Sequence, residues 1–513
     1  MAKGAVFLVG AGPGDPELIT IKALRRIRKA DVILYDSLAN PALLDEAPPH
    51  CERIDVGKRP GAQSRQQDRI NRLMVERAEK GLRVVRLKGG DPFLFGRGGE
   101  EMATLNEAGI AFEVIPGITS AIAAPAYAGI PVTQRAIAPH VTIITGHRES
   151  LDALPEVDWR ALGQLGGTLV VLMGVRNRGE VARRLIEAGR SADTPVAVVQ
   201  DGTLPGQKTV RCTLGTLADM EAASPAAIVV GDVAASDFPW FERLPLFGRR
   251  IMITRSRNQA GDLRGMLMGL GADVLVAPAI EIADPPDWSQ VDAAIGELDR
   301  FDWLVFASGN AIERFLRRVR TLHGNIDGLS DVRVAVVGRK SADKLRNAGL
   351  NVDLCPRRHT AADLAEQFAG VNVSGLRVLI PRAEEGRRTI PDALRALGAR
   401  VREVIVYRTV KPSGISGHVK ERLQRNEVDL VVLSSPSSAL NCREFFKQFG
   451  MPELTRTLPA ACIGPTSAEA ARKMGFSVVA QAADQDVGIP GLVDSIQDFF
   501  GNSERGGGPS VSR

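Results

Sequence analysis

One run of the sequence concentrates groups that could hold a ligand: VVRLKGGDPFLFGRGGEE, residues 84–101. Gly89 and Gly90 let a backbone approach a bound molecule closely, because no Cβ stands in the way. Asp91 can accept hydrogen bonds, and Arg97 and Glu100 supply a cation and a carboxylate. A strand-to-helix turn with solvated charges would explain GGDP alone. The complete run predicts a binding site at the carboxyl end of a strand, the edge where open α/β sheets bind ligands.

Other polar residues follow predicted strands in the same part of the chain. Asp36 follows the apolar segment 32–35, and Lys58 follows 54–56. Pro13 lies in the turn GAGPGDP, whose glycines alternate as GxGxG and therefore differ from the dinucleotide fingerprint GxGxxG. Taken singly, such charges are more often surface groups, and the turn is more often an ordinary tight turn. They become candidates only through the family resemblance given below.

Strands and helices alternate through the first half. In the first lobe, strands are predicted over 5–9, 32–35, 54–56, 84–87 and 112–115. A second lobe begins near Gln134, with strands predicted over 141–145, 168–172, 195–199 and 227–230. Apolar residues at 18, 21, 24 and 27 predict an amphipathic helix packed on a sheet. PGITSA (116–121) opens another helix, which its Thr-Ser pair could cap. The segment 236–250, with prolines and aromatic residues, marks the domain boundary.

The second half restarts at Arg250 with a strand over 251–254. Strand, polar turn and helix then recur, which predicts a parallel α/β architecture. Helix capping alone would explain the hydroxyl residues at four predicted helix starts, and these are Ser308, Ser341, Ser435 or Ser437, and Thr466 or Ser467. Helix N-termini also bind anions through free N–H groups and the helix dipole. Several of them in one cleft would suit a ligand with many carboxylates.

The first half resembles uroporphyrinogen-III C-methyltransferase, one of the tetrapyrrole methylases, over about residues 5–241. Three motifs carry the resemblance: VGAGPGDPELITIKA (9–23), LKGGDPFLFGRGGEE (87–101) and PGITSAIAAPAYAGIPVT (116–133). It implies a two-lobed domain (1–135 and 136–245) that uses S-adenosylmethionine as methyl donor and forms a homodimer. The implied contacts with S-adenosylmethionine are Pro13, Gly89, Gly90, Asp91, Leu94, Thr119, Ser120, Met173, Gly202 and Ala227.

The same resemblance implies roles beside the substrate. Asp36 and Lys58 hold the positions of proposed acid–base residues, and Asp36 is a plausible acceptor for the proton that the ring loses after methylation. The carboxylated macrocycle would be positioned by Arg97, Glu100, Arg135 and His147. Arginine suits this role because it pairs with carboxylates in a bidentate manner. The family commonly has His-Arg after the IPxT run; this chain has Gln134-Arg135, so the arginine is kept and the imidazole is missing.

The second half resembles uroporphyrinogen-III synthase over about residues 249–500. The matching segments are TRSR (254–257), PAIEI (278–282), VIVYRTV (404–410) and IGPTSAEA (463–470). The resemblance implies two parallel, flavodoxin-like α/β lobes joined by two extended linkers, one lobe at 249–282 plus 411–500 and the other at 283–410. A strand tyrosine is usually half-buried core, but the family's candidate catalytic tyrosine stands in the context of Tyr407. Its phenol could donate a proton to a departing hydroxyl.

Together the two resemblances imply a bifunctional enzyme, because the product of the synthase is the substrate of the methyltransferase. Residues 246–500 would cyclise hydroxymethylbilane to uroporphyrinogen III, and residues 1–245 would methylate C2 and C7 to give precorrin-2. Methyl transfer from a sulfonium to carbon depends on alignment and needs no metal. Two alternatives stay open. The first half could act on RNA or another corrin intermediate, and the second half could be a binding or regulatory module without catalysis.

Composition restricts the remaining possibilities. A chain of 513 residues predicts roughly three or four domains. No apolar run approaches the roughly 20 residues of a membrane helix, and the start has no signal-peptide pattern. The five scattered cysteines are typical of reduced thiols in a cytoplasmic protein and argue against a zinc site. A net charge of +5 without a basic tract argues against a nucleic-acid partner. The Gly/Ser-rich segment 501–513 predicts a disordered tail.

Overall fold

The computed structural model forms two compact units. One reaches to Arg250 and also includes Gly265–Val274 and the chain from Phe500 onward, and the other consists of Ile251–Arg264 and Leu275–Phe499. The described residues are 3–48, 50–57, 63–147, 156–255, 257–329, 332–356, 361–386, 388–410, 412, 415, 417–483 and 488–505. Within these ranges no helix is both long enough and apolar enough to cross a membrane. The mixed α/β class predicted from the sequence is confirmed.

The first sheet is fully parallel, with the strand order β3-β2-β4-β1-β5. Its strands are β1 (Ala5–Gly10), β2 (Val32–Tyr35), β3 (Glu52–Asp55), β4 (Arg83–Lys88) and β5 (Ala111–Ile115). Apolar residues cover both faces of the central strands, as a parallel sheet buried between helices requires. The helices of the first unit are α1 (Ile21–Ile27), α2 (Pro41–Leu44), α3 (Gln63–Glu79), α4 (Gly98–Glu107), α5 (Ser120–Tyr127), α6 (Trp159–Gln164) and α7 (Arg178–Glu187).

The first helix departs from its predicted pattern. Residues Pro16–Leu18 form a separate 3-10 turn, and α1 begins only after Thr20, whose side chain accepts a hydrogen bond from the Ala23 N–H at 3.2 Å. Ala23 and Ile27 form its buried stripe, whereas Ile21 is 71% exposed. The predicted stripe was therefore right about Ile27 and wrong about Ile21, because the helix begins only after Thr20 and its buried residues follow the i, i+4 spacing.

The second sheet is mixed, with the order β6-β7-β10-β8-β9. Its strands are β6 (Val141–Thr145), β7 (Thr168–Leu172), β8 (Pro195–Gln200), β9 (Lys208–Thr213) and β10 (Ala226–Val230). Only the β6–β7 pair is parallel; β10 and β9 run antiparallel to their neighbours. The four strands predicted for this lobe are all present, and β9 was not predicted.

The second half contains two further sheets. Its strands are β11 (Arg250–Ile253), β12 (Asp273–Val276), β13 (Glu281–Ala283), β14 (Trp303–Phe306), β15 (Arg333–Val336), β16 (Arg377–Ala383), β17 (Arg400–Val410), β18 (Leu430–Leu433), β19 (Pro459–Cys462) and β20 (Ser477–Gln481). One sheet has the order β12-β11-β18-β19-β20, which is the flavodoxin-like order 2-1-3-4-5. The other has the order β13-β17-β16-β14-β15, with four parallel strands and β13 antiparallel at its edge. The flavodoxin-like prediction is confirmed apart from that edge strand.

The segments PAIEIADPP (278–286) and VYRTVKPSG (406–414) are the two predicted linkers, and parts of them pair in this sheet. Glu281, Ile282 and Ala283 pair antiparallel with the final residues of β17, in register with Val410, Thr409 and Arg408. The helices of this half are α8 (Arg257–Gly269), α9 (Ser289–Ile295), α10 (Gly309–His323), α11 (Arg339–Asn347), α12 (Ala361–Ala369), α13 (Thr389–Ala396), α14 (Gly417–Gln424), α15 (Pro436–Gln448), α16 (Leu454–Thr457), α17 (Pro465–Lys473) and α18 (Ile489–Arg505). Because α18 includes residues 501–505, the tail predicted to be disordered from 501 was placed too early.

An ion pair at the amino edge of the first sheet gives a pH-dependent contribution to stability. Asp31 accepts hydrogen bonds from the side chain and backbone N–H of Arg83 at 2.8–2.9 Å, and these bonds lower the pKa of Asp31 to about 2. A carboxyl with a lowered pKa stabilises the folded state above its unfolded pKa of about 3.9, and the contribution is lost as the pH falls through 2.

We therefore expect Asp31→Asn to lower the free energy of unfolding by about 0.5–1 kcal/mol at pH 7, a modest effect because Arg83 is half-exposed. The difference in Tm between the variant and the parent should shrink steadily between pH 5 and pH 2 in thermal melts. A difference that stays constant over that range would show that the ion pair contributes nothing.

Candidate active sites

Three glycines pack backbone against backbone at the carboxyl edge of the first sheet: Gly10, Gly90 and Gly117. We call this contact the glycine crossing. A Cβ on Gly117 would lie 2.2 Å from the Gly90 carbonyl oxygen, and a Cβ on Gly10 would lie 2.5 Å from the Gly117 Cα. Gly90 and Gly12 also exchange backbone hydrogen bonds of 2.8 and 3.2 Å. The loops after β1, β4 and β5 can approach this closely only because no side chains stand between them. Gly90 has φ +67°, and the nearest atom to a Cβ at this position would be the Thr119 Cα, at 3.9 Å.

Asp91 holds two of these loops together. Its Oδ1 accepts hydrogen bonds from the N–H groups of Phe93 and Leu94 at 2.8 and 3.2 Å, and its Oδ2 accepts one from Gly117 at 3.0 Å. Both carboxylate oxygens therefore accept hydrogen bonds from backbone N–H groups. In this structure Asp91 stabilises the shape of the glycine-lined loop. Its direct contact with a cofactor stays a prediction.

The predicted cofactor residues of the first lobe lie on loops that contact one another. Thr119 caps α5, since its side chain accepts a hydrogen bond from the Ala121 N–H at 3.2 Å, and Ser120 begins the helix. Gly202 lies against the same helix, where a Cβ would stand 2.3 Å from that of Ala124. Next to it, Thr203 Oγ1 accepts a hydrogen bond from the backbone N–H of Asp15 at 3.0 Å. These contacts join the Pro13 loop, the start of α5 and the loop after β8.

The second lobe contributes the remaining predicted cofactor and substrate residues. Met173 follows β7 with φ +57° and is 49% exposed. Ala227 is buried in β10, opposite Leu172 and Val199, so its side chain belongs to the core, and its contact with the cofactor stays a prediction. His147 follows β6, the parallel neighbour of β7, which places it beside Met173 at the same sheet edge.

The predicted macrocycle contacts differ in their surroundings. Arg97 donates bidentate hydrogen bonds to Glu100 at 2.9 and 2.7 Å, and this pairing lowers the pKa of Glu100. The two residues thus interact with each other in this structure. Arg97 also has φ +58°, a conformation that a non-glycine residue adopts at some energetic cost. Arg135 is exposed at the turn after residue 133. Lys58 lies outside the described residues.

Sequence reasoning missed a group of buried charges beneath this site. Arg86 and Lys88 are two positions apart in β4, so their side chains lie on the same face, and each is at most 3% exposed. Glu101 in α4 is fully buried. Arg86 donates to Glu101 through Nε at 3.0 Å and to Asp36 through Nη2 at 2.6 Å, and Lys88 donates to Glu101 at 3.0 Å. Burial lowers the pKa of Lys88; for Arg86 burial acts in the same sense, but the carboxylates of Asp36 and Glu101 outweigh it and raise its pKa.

The sequence did contain a signal for these charges. Arg86 and Lys88 interrupt an otherwise apolar strand at positions that point to the same side. Charged residues are almost never fully buried unless they are paired, so a charged pair in a central strand indicates partners nearby.

In the second half, Tyr407 meets Ser308 at a carboxyl edge. The Tyr407 hydroxyl lies 3.1 Å from Ser308 Oγ, and Tyr407 is only 8% exposed. Ser308 follows β14 and caps α10, where its Oγ accepts a hydrogen bond from the Ala311 N–H at 3.2 Å. The pairing of β16 with β17 shifts by one residue between Arg382 and Ala383, just where Tyr407 is paired. Such bulges redirect side chains and are frequent beside active sites.

The predicted hydroxyl residues at helix starts divide into two kinds. Ser308 and Ser435 are N-caps, and Ser435 forms a capping box with Ser438. The capping interpretation is wrong for Ser341 and Thr466, because glycines at 338 and 464 hold the N-cap positions. Both residues lie inside the first turn of their helix: Ser341 is two residues beyond Arg339, where α11 begins, and Thr466 is one residue beyond Pro465, where α17 begins.

Arg255 was not singled out from the sequence and stands at the carboxyl end of β11. Burial lowers the pKa of its guanidinium, and its Nη1 atom is buried without a hydrogen-bond partner in the part of the chain that the structure describes. β11 is the neighbour of β18, which ends just before Ser435. A half-buried cation therefore lies at the switch point of a 2-1-3-4-5 sheet, the place where such sheets bind ligands.

Comparisons with known proteins match both halves of the chain. Residues 5–218 match the family of tetrapyrrole (corrin/porphyrin) methylases, and residues 262–489 match uroporphyrinogen-III synthase HemD. The porphyrin biosynthesis protein HemD of Ruminiclostridium josui is 36% identical over 98% of this chain and 99% of its own length. The S-adenosyl-L-methionine-dependent uroporphyrinogen III methyltransferase of Methanosarcina barkeri is 51% identical over 45% of this chain and 92% of its own. Among solved structures, the uroporphyrin-III C-methyltransferase of Thermus thermophilus complexed with S-adenosylhomocysteine is 40% identical, with a TM-score of 0.40 over 45% of this chain and 98% of that one.

Proposed function

Since this chain belongs to the family that joins a tetrapyrrole methylase to a uroporphyrinogen-III synthase, we propose that it catalyses two consecutive steps of tetrapyrrole biosynthesis. Its second half cyclises hydroxymethylbilane to uroporphyrinogen III. Its first half methylates that product at C2 and C7 with S-adenosylmethionine and yields precorrin-2. The boundary between the methyltransferase domain and the synthase domain lies between residues 245 and 246. The five cysteines form no disulfide, which supports a reducing, cytoplasmic location.

The glycine crossing carries the methyltransferase proposal. Gly90 leaves room for a ligand to approach its backbone beside Thr119, because a Cβ there would lie 3.9 Å from the nearest atom, the Thr119 Cα. Bound S-adenosylmethionine supplies an electrophilic methyl group, and the chain supplies alignment, which accounts for much of the acceleration in such displacements. Leu94, in the loop after β4, and Met173, directly after β7, bring apolar side chains to the proposed site, which suits the uncharged parts of the cofactor. Residues at the site therefore fit S-adenosylmethionine.

Asp36 is the proposed proton acceptor. Its side chain is 29% exposed at the end of β2, so it can meet a substrate from the solvent side while Arg86 holds it from the protein side. Arg97 cannot accept the proton because its guanidinium remains protonated. We assign Arg97, Arg135 and His147 to binding the carboxylates of the macrocycle.

In the second half the proposal rests on the contact between Tyr407 and Ser308. A phenol whose oxygen already lies within hydrogen-bond distance of a hydroxyl is fixed in direction and can act as a general acid toward a departing hydroxyl group. Arg255 supplies positive charge for substrate carboxylates, and the dipole of α15 adds a partial positive charge at its N-terminus near Ser435.

Two incubations of the full chain test the two activities separately. Uroporphyrinogen III with labelled S-adenosylmethionine should give labelled precorrin-2, detected by fluorescence after oxidation. Hydroxymethylbilane alone should give the type III isomer of uroporphyrin. Absence of precorrin-2 would refute the first activity. Formation of isomer I alone would mean that the second half is only a binding or regulatory module. Sedimentation equilibrium tests the further proposal, which follows from the family resemblance, that the methyltransferase half forms a homodimer.

We expect Arg255→Ala to raise the KM for hydroxymethylbilane by about 10- to 100-fold with little change in kcat. A hydrogen bond between charged groups contributes about 1.5–3 kcal/mol, which corresponds to that range. Arg320→Ala is the matched control, because Arg320 is exposed in the last turn of α10, at the opposite end of that helix from Ser308. Equal KM values for the two variants would contradict the assignment.

A further inference from the structure

The buried charges of the first half call for an explanation beyond stability. Arg86, Lys88 and Glu101 are at most 3% exposed, and removing charges from water is costly enough that apolar side chains of similar volume often stabilise a core equally well. Glu101 Oε1 accepts hydrogen bonds from Arg86, Lys88 and Gln67, the last at 3.3 Å. One carboxylate oxygen thus gathers three donors, an arrangement that fixes positions more firmly than packing alone would.

The network leads from the core to the edge of the site. Arg86 uses Nε for Glu101 and Nη2 for Asp36, and its Nη1 donates to the Leu87 carbonyl oxygen at 3.1 Å. A guanidinium is planar and rigid, so fixing the Nε–H bond also fixes the direction of Nη2. Of the four charged groups only Asp36 reaches the solvent-accessible edge. Two residues after Lys88, the same strand leads into the glycine crossing at Gly90.

We propose that Arg86 is a positioning residue for methyl transfer: held by Glu101, which Lys88 holds in turn, it aims the Asp36 carboxylate at the macrocycle. This inference rests on the proposed methyltransferase function. In the reaction a ring carbon attacks the sulfonium methyl group, the methyl–sulfur bond breaks and its electron pair stays on sulfur. The methylated macrocycle then carries one additional positive charge, and it returns to its former charge when it loses a proton. Asp36 accepts that proton and later releases it to water.

The substitution Arg86→Lys tests the proposal while keeping a cation in the core. Lysine can serve Glu101 or Asp36 but has no fork to bridge both. We expect kcat for methylation of uroporphyrinogen III to fall about 10- to 100-fold in the full chain, in line with the loss of a well-placed acceptor. The KM for S-adenosylmethionine and the Kd for S-adenosylhomocysteine should stay within about twofold, because the loop at Gly90 is unchanged. A purely structural role would alter both.

A double-mutant cycle with Asp36→Asn identifies the route of the effect. If Arg86 acts through Asp36, the double variant should have the kcat of Asp36→Asn alone, within about twofold. Multiplied effects of the two substitutions would overturn the proposal, as would an Asp36→Asn variant with unchanged kcat. Neither outcome touches the proposed function, which fails only if the unaltered chain produces no precorrin-2.

Two further variants complete the design. Arg83→Lys is the matched control, since Arg83 lies on the same strand and pairs with Asp31 at the opposite, amino edge of the sheet. It should leave kcat within about twofold of the parent value. If the Arg86→Lys chain does not fold, Glu101→Gln takes its place, because it weakens the hold on Arg86 without removing the bridge to Asp36. A smaller fall in kcat with the same non-additivity toward Asp36→Asn is then expected, and additive effects would again refute the proposal.

Discussion

Replacing Gly90 by alanine should weaken binding of S-adenosylhomocysteine by about a hundredfold while the protein remains folded. The new Cβ would enter the open space beside Thr119, where the cofactor is proposed to lie, and φ +67° would strain any side chain. Displacing a bound group by about 1 Å is enough for an effect of this size on an aligned reaction. Isothermal titration calorimetry measures the affinity directly, and methylation should fall at least in parallel.

Gly109→Ala is the control for backbone strain. Gly109 has φ +62° at the end of α4, and the nearest atom to its added Cβ would be Lys3 Nζ at 3.8 Å. Both substitutions should therefore cost roughly 1 kcal/mol of folding stability, but only Gly90→Ala should lose affinity. Equal affinities in the two variants would place the cofactor elsewhere.

The second large effect concerns the synthase half. Tyr407→Phe should slow formation of the type III isomer by about 10²- to 10⁴-fold, the range for loss of a general acid. A strong effect is expected because Tyr407 is 8% exposed, so water has little access to replace its hydroxyl. The measurement is the ratio of uroporphyrin isomers I and III from hydroxymethylbilane, since the uncatalysed ring closure gives isomer I.

Tyr35→Phe serves as the matched control for Tyr407→Phe. Tyr35 ends β2 in the methyltransferase half, so its loss should leave the isomer ratio unchanged. Conversely, Tyr407→Phe should methylate added uroporphyrinogen III at the parent rate. If Tyr407→Phe still forms isomer III at the parent rate, the phenol is not the proton donor, and Ser308 becomes the next group to replace.

Strands and loop positions could be predicted well from the sequence, because they depend on local patterns. The apolar runs ending at Leu87 and Ile115 are strands, and Thr119 caps its helix as hydroxyl residues at that position do. The glycines at 89 and 90 were recognised as a ligand-approach site for the same reason. Local chemistry decides each of these features, so one sequence suffices.

Contacts between distant residues could not be predicted in this way. Arg86 contacts Glu101, 15 residues away, and Asp36, 50 residues away. Both contacts depend on the strand register and on the direction of each side chain. The caps at Gly338 and Gly464 were missed because serine and threonine nearby offered a stronger local signal than glycine. The antiparallel edge strand β13 was missed because three residues carry too little pattern.

The crossing of Gly10, Gly90 and Gly117 also limits how the pocket could be redesigned. Main-chain atoms fill that wall completely, so no truncation there can create room for an enlarged sulfonium donor, such as one carrying an allyl or benzyl group in place of methyl. Any extra volume has to come from residues with side chains, and among the proposed cofactor contacts Leu94 and Met173 have side chains that can be shortened. Engineering of alternative alkyl transfer in this protein should therefore begin at those two positions.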